Sequence, residues 1–227
     1  MDAQPGRANQ QVLQFLTTEH FTLQTGRSAT TSETNGRSST FLNAVSGAVV
    51  ALAFIGQISG MGEAFFVFGF VLFPSVFFLG IATFVRVLQC GIEDMIYARG
   101  INRIRHFYVE IAPQMKDYFI LPTSDDIASS SLRTLGLIPA GWQLFMTAAG
   151  VIEVINSVII GVFAGVALNR LLGLSVPLCA AAGVAVFLLS LLCTSATSPA
   201  TGTRWSATSQ FFSQAPNRLP PPPAHGF

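Results

Sequence analysis

Apolar positions are gathered into two blocks, residues 41–85 and 141–195, within which only Glu63, Glu153 and Arg170 are ionisable. The first block breaks at Ser59-Gly60-Met61-Gly62-Glu63 into segments 41–62 and 64–85. Each reaches the roughly 20 apolar residues that a helix needs to cross a hydrocarbon layer of about 30 Å. The second block divides at Asn169-Arg170 into segments 142–168 and 171–193, with Pro177 in the opening turns of the last, where a missing N–H is tolerated. This pattern predicts an all-α integral membrane protein: four transmembrane helices in two hairpins, with a helical cytoplasmic arm between them.

Outside the blocks the periodicity is helical. Val12, Phe15, Leu16 and Leu23 lie on one face of a short amphipathic helix in the N-terminal segment 1–40. Thr25–Thr40 is polar and compatible either with a continuation of that helix or with a flexible link. After the second span, Leu88, Ile92, Met95, Ile96, Ile104, Phe107, Tyr108 and Ile111 recur at three- and four-residue intervals within segment 86–140. They define an amphipathic arm that ends at Pro113, with a bend expected at Gly100. Thr123-Ser124-Asp125-Asp126 offers an N-cap for a shorter helix that returns to the bilayer through Pro139 and Trp142. The tail 194–227 is rich in Ser, Thr and Pro and is expected to be a disordered spacer ending in polyproline II at Leu219–Pro223.

Composition agrees with the bilayer as solvent. The chain has 227 residues, 51% hydrophobic and 10% charged, against about 25% charged in an ordinary soluble domain. Of its twelve basic residues, eleven fall in the two tails and the central segment, and only Arg170 falls in a short turn between spans. Basic residues concentrate on the cytoplasmic side, so both termini are expected there. The polar start of the chain lacks the basic and short apolar regions of a cleaved signal. A net charge of +1 supplies no field for nucleic acid, and no nucleic-acid partner is expected. Cys179 and Cys193 are fourteen residues apart in one helix, about 21 Å, too far to bridge; together with Cys90 they read as free buried thiols.

Candidate chemistry is sparse. Glu153 lies about eleven residues into the third segment, near the expected midplane, where an ionised carboxylate costs at least about 2.5 kcal/mol. Asn156 and Ser157 follow at i+3 and i+4 and make a polar stripe with it. Two readings stand: a protonated Glu153 that donates a hydrogen bond between helices, or an intramembrane site that handles a proton or small cation. Small-residue pairs Gly56 and Gly60, Gly161 and Gly165, and Cys179 and Gly183 permit close helix packing, within the chain or in a homo-oligomer. The many phenylalanines and Pro74 of the second span read as lipid-facing bulk with a tolerated kink. Arg99, Arg103 and Arg105 could touch anionic lipid only if the arm lies flat, and otherwise form a solvated face.

No phosphate loop, nucleophile elbow or zinc-protease helix is present, and His106 with Glu110 lacks further ligands. No catalytic residue, metal or cofactor is therefore expected, and no motif is specific to a family. The functional expectation is a membrane scaffold, sensor or effector subunit acting through its arm on a cytoplasmic protein partner. The N-terminal helix is itself a candidate partner for the arm's apolar face. The alternative is an oligomeric ion or proton channel, or a proton-coupled transporter, using Glu153 and Asn156.

Overall fold

A computed structural model describes residues 5–120 and 147–197. Among these residues every regular element is a helix: α1 (Pro5–Ser59), α2 (Glu63–Ile111), a 3-10 turn (Pro113–Tyr118), α3 (Ala148–Leu172) and α4 (Val176–Thr197). All four α-helices are long and apolar enough to cross a membrane. The expected capping motif at Thr123, the return through Pro139 and Trp142, and the Pro-rich tail lie outside the described residues.

α1 has 55 residues and α2 has 49. At 1.5 Å per residue they are about 80 and 73 Å long, more than twice a membrane crossing. The polar stretch Thr25–Thr40 is thus helix and not link. Its hydroxyls donate back to carbonyls one turn earlier, Thr25 to Phe21, Thr31 to Arg27, Ser38 to Thr34 and Thr40 to Gly36. These bonds satisfy the side chains without drawing on the backbone N–H groups that hold the helix. The hairpin turns at Gly60 and Met61, both at positive φ, and the Met61 N–H donates to the Gly56 carbonyl at 3.0 Å.

Contacts order the helices simply: α2 packs against α1 and α3, α4 packs against α3, and α1 touches α3 only briefly. The core between the first three is built on Phe41, fully buried, with Val76, Val87, Ile152 and Ile159. Beyond Phe41 and Val85, α1 and α2 continue side by side as an antiparallel stalk. The partners Glu33 and Arg86, Arg27 and Asp94, Gly26 and Tyr97, and Leu23 and Gly100 step along the two helices in opposite directions. Here the arm departs from expectation, because α2 runs through Gly100 unbroken. A Cβ at Gly100 would stand 2.8 Å from Leu23 Cδ1, so the glycine admits a partner side chain and does not divide the helix in two. Val87, Cys90, Ile101 and Ile104 are buried, worth on the order of 1.5–3 kcal/mol for each large aliphatic side chain.

Two guanidinium–carboxylate forks lock the stalk's register. Arg27 donates to Asp94 at 2.7 and 3.0 Å, and Arg86 donates to Glu33 at 2.8 and 2.9 Å. Arg37 also donates to Glu33, and Arg86 reaches Glu93 at 3.3 Å. Such half-exposed pairs contribute about 1 kcal/mol or less each, so apolar burial holds the helices together and the forks select the alignment.

The second hairpin turns later than expected. α3 continues through Asn169 and Arg170 to Leu172, and Gly173 in the left-handed region ends it, its N–H donating to the Asn169 carbonyl. Asn169 Nδ2 bridges to the Leu174 carbonyl at 2.9 Å, and Arg170 stacks over the Phe66 ring at 4.9 Å. Both polar residues find local partners, so neither breaks the helix.

The Glu33 carboxyl is pushed down to about 2 from 4.5, first by the Arg86 hydrogen bond and then by that of Arg37. A lowered folded-state value means that the stabilisation is complete above about pH 4.5 and is lost as pH falls through about 2. Thermal melts of wild type and Glu33→Gln should therefore differ by a constant shift above pH 5 and converge between pH 4.5 and 2. A gap that persists at pH 2 would show that this carboxylate is not what Arg86 needs.

Candidate functional site

The polar stripe of α3 begins near that helix's start. Thr147 is the N-cap, its Oγ1 accepting from the Gly150 N–H at 3.1 Å. Gly150, Glu153, Asn156, Ser157 and Gly161 then follow on the buried face. Glu153, Asn156 and Ser157 are 7%, 8% and 2% exposed. The structure brings the three together inside the helix bundle, turned away from its outer surface.

The stripe lies nearer the start of its helix than the count from Trp142 implies. Glu153 lies in the second turn after the Thr147 cap, not at the middle of its helix. Asn156 is level with Gly80 and Phe41, and Gly80 is only six residues before Arg86. The cluster therefore sits where the bundle passes into the stalk. The sequence count ran from Trp142, whereas the described helix starts at Ala148 after the Thr147 cap.

Each member has a distinct environment. Ser157 Oγ donates to Ser190 Oγ of α4 at 3.1 Å. Asn156 presses its carboxamide onto the backbone of α2: a Cβ at Gly80 would overlap it and would stand 3.0 Å from Phe41 Cε2. Asn156 Oδ1 is buried without a hydrogen-bond partner. It lies along the direction of a Gly80 α-hydrogen, the geometry of the weak Cα–H···O contacts found between closely packed helices. One turn from Gly80, buried Thr83 donates to its own Leu79 carbonyl at 2.8 Å.

Polarity stops at Ser157 and Ser190. Farther along, Gly161 and Gly165 bring α3 onto α4, where a Cβ at Gly161 would stand 2.7 Å from the Gly183 carbonyl oxygen and one at Gly165 3.1 Å from that of Cys179. The small-residue face is thus occupied within the chain. Beside it runs an apolar groove of about 510 Å³ flanked by Phe66, Val162, Val184 and Phe187. Gly56 meets the Phe65 ring at 3.3 Å from its Cβ position, whereas Gly60 has open space around it and is required for its positive φ in the turn.

The three arginines of the arm do not share a surface. Arg103 is exposed, while Arg105 is half-buried beside α1. They lie about 20–29 Å along α2 from Arg86, in helix that is continuous with the apolar segment before it. Sequence reading missed Gly80, Ser190, and the Glu33–Arg86 and Arg27–Asp94 forks. The forks depend on the pairing of α1 with α2, Gly80 on that of α2 with α3 and Ser190 on that of α3 with α4, each joining residues more than 30 apart in the chain.

Gly80→Ala should destabilise the bundle by about 1–3 kcal/mol through overpacking against Asn156. Adding Asn156→Ala should recover much of that loss, with a coupling of about 0.5–3 kcal/mol in a cycle of unfolding measurements in detergent micelles. Additive effects would mean that the two residues do not touch. No family model matches the chain, and neither a curated protein nor a solved structure shows significant similarity to it.

Proposed function

We propose that the protein is a four-span integral membrane protein with both termini in the cytoplasm, and that it acts without catalysis as a scaffold, sensor or effector subunit through its two-helix stalk. The observation that carries this reading is the continuation of α1 and α2, paired in fixed register, for roughly 40 Å past their apolar segments. A helix leaving lipid must cover its apolar stripe, and α1 and α2 do this for each other, so the stalk is a rod and not a tether. At its far end Phe15 and Phe21 are 72% and 62% exposed, with Tyr118 also exposed. A rod that displays uncovered aromatic surface away from the bilayer suits a cytoplasmic protein partner. The basic-residue distribution supports the orientation.

A second reading, an oligomeric channel or proton-coupled transporter, draws support from burial of Glu153 and from the unpartnered Asn156 Oδ1. Against it, the polar run is one helical turn deep and the α3–α4 contact beyond is backbone against glycine, with no lining for water. A conducting path would have to form between copies of the chain.

In inside-out vesicles, deleting residues 1–24 should speed tryptic cleavage at Arg99 and Arg103 by about tenfold or more, since each 1.4 kcal/mol of lost docking raises the open population tenfold. Unchanged protection would refute the rod. Proteoliposomes carrying wild type or Glu153→Gln should both show proton and cation flux no greater than empty liposomes; flux in wild type that Glu153→Gln abolishes would install the channel reading instead.

A further inference from the structure

The far end of the stalk holds a cleft of about 570 Å³, walled by Leu13 and Phe21 of α1, Ile111 of α2, and Met115 and Phe119 of the turn that folds back after α2. That size is within the range of small-molecule sites. Two basic side chains line it, His20 from α1 and Arg105 from α2, and among the described residues no acidic one does. His20 Nδ1 is buried and has no hydrogen-bond partner. Burial, and next the Arg105 charge, hold the His20 imidazole below its usual range. Burial, and next the Arg27 charge, lower Arg105 as well. Both shifts mark basic groups whose charged forms are disfavoured by burial and by a neighbouring cation.

Among the described residues, Asp94 is held by Arg27, Glu110 pairs with His106 at 3.3 Å, and Glu19, Glu110 and Asp117 are exposed and outside the cleft's lining. A half-desolvated guanidinium presents a planar fork that matches a carboxylate, and with Nδ1 closed off inside the protein, the Nε2–H tautomer of His20 would add a third donor. The apolar walls call for a hydrocarbon or aromatic body behind that carboxylate.

We propose that this cleft binds a soluble amphipathic monocarboxylate, with the carboxylate on Arg105 and His20 and its apolar body against Phe21, Ile111 and Phe119. His20 lies 21 residues before Phe41, about 30 Å along α1, so the headgroup of a bilayer lipid does not reach it and the ligand comes from solution. Because residues of α1, α2 and the following turn all contact the ligand, its binding clamps the tip of the stalk. The inference rests on the stalk of the proposed function but not on membrane orientation, so its failure leaves the scaffold reading intact.

The test uses the full chain in lipid nanodiscs, titrated by calorimetry with 4-phenylbutyrate and, separately, with the uncharged 4-phenylbutanamide. Wild type should bind the acid saturably and at least tenfold more tightly than the amide. Arg105→Gln should lose at least tenfold in affinity for the acid, while Arg103→Gln should not. Thr17→Trp fills the cleft from α1 without altering either basic residue and should weaken binding as much, with tryptic protection of the stalk verifying that each variant is folded. No saturable binding by folded wild type, equal affinity for acid and amide, or an Arg105→Gln variant that is folded and binds normally would each overturn the proposal.

Discussion

The pairing of α1 with α2 outside the apolar segments is the constraint on which the remaining architecture rests. A helix that emerges from lipid carries its apolar stripe into water, where exposing each large aliphatic side chain forfeits on the order of 1.5–3 kcal/mol. Here the emerging stripes of consecutive helices face one another. Close approach is what makes the pairing continuous: Gly100 receives Leu23 and Gly26 receives the Tyr97 ring, a reciprocal exchange in which each helix offers a gap where the other offers bulk. The forks at Glu33–Arg86 and Arg27–Asp94 then exclude slipped alignments, because a shift of one helical turn would leave both half-buried carboxylates without their partners.

The same principle of bulk against gap organises the bundle. α2 accepts Asn156 at Gly80, and α3 and α4 touch at Gly161 and Gly183. In lipid no hydrophobic drive separates helix from solvent, so van der Waals contact and buried hydrogen bonds decide which faces meet. The Ser157–Ser190 bond and the Asn156 contact lie on the same stretch of α3 and tie it to both neighbours at one level. α3 is therefore the element that joins the α1–α2 hairpin to α4, which makes few contacts with α1 or α2.

Much of this was legible from residue pattern, and the parts that were not share a cause. Four apolar helices, the hairpin break at Gly60–Gly62 and the amphipathic arm follow from hydropathy and period, which are local properties. Helix ends were less legible: Asn169 and Arg170 look like a turn by polarity, yet each is satisfied locally, by the Leu174 carbonyl and by the Phe66 ring. Gly100 looked like a weak point because intrinsic propensity ignores what packs against a residue. Glu153, Asn156 and Ser157 are legible as one stripe, but not their place near the start of α3 or their packing at Gly80 and Phe41, which depend on where the helix is capped and on what the other helices bring to it. His20 and Arg105 are 85 residues apart, and their meeting exists only through the antiparallel register.

The displaced polar cluster changes what a buried carboxylate means here. At the centre of a span, Glu153 would demand either a functional role or a steep desolvation cost. Here the residue lies in the second turn after a capped helix start, one turn before Asn156, which packs at Gly80, six residues before Arg86. In the proposed membrane placement, a polar residue in that position would anchor the point at which a lipid-packed bundle becomes a water-packed rod. The junction needs such an anchor, because the forces that select helix faces change there: burial of apolar area operates on the stalk side and shape complementarity on the bundle side. Asn156 against Gly80 and Glu33 against Arg86, six residues apart along α2, are the two contacts that hold one register across the change.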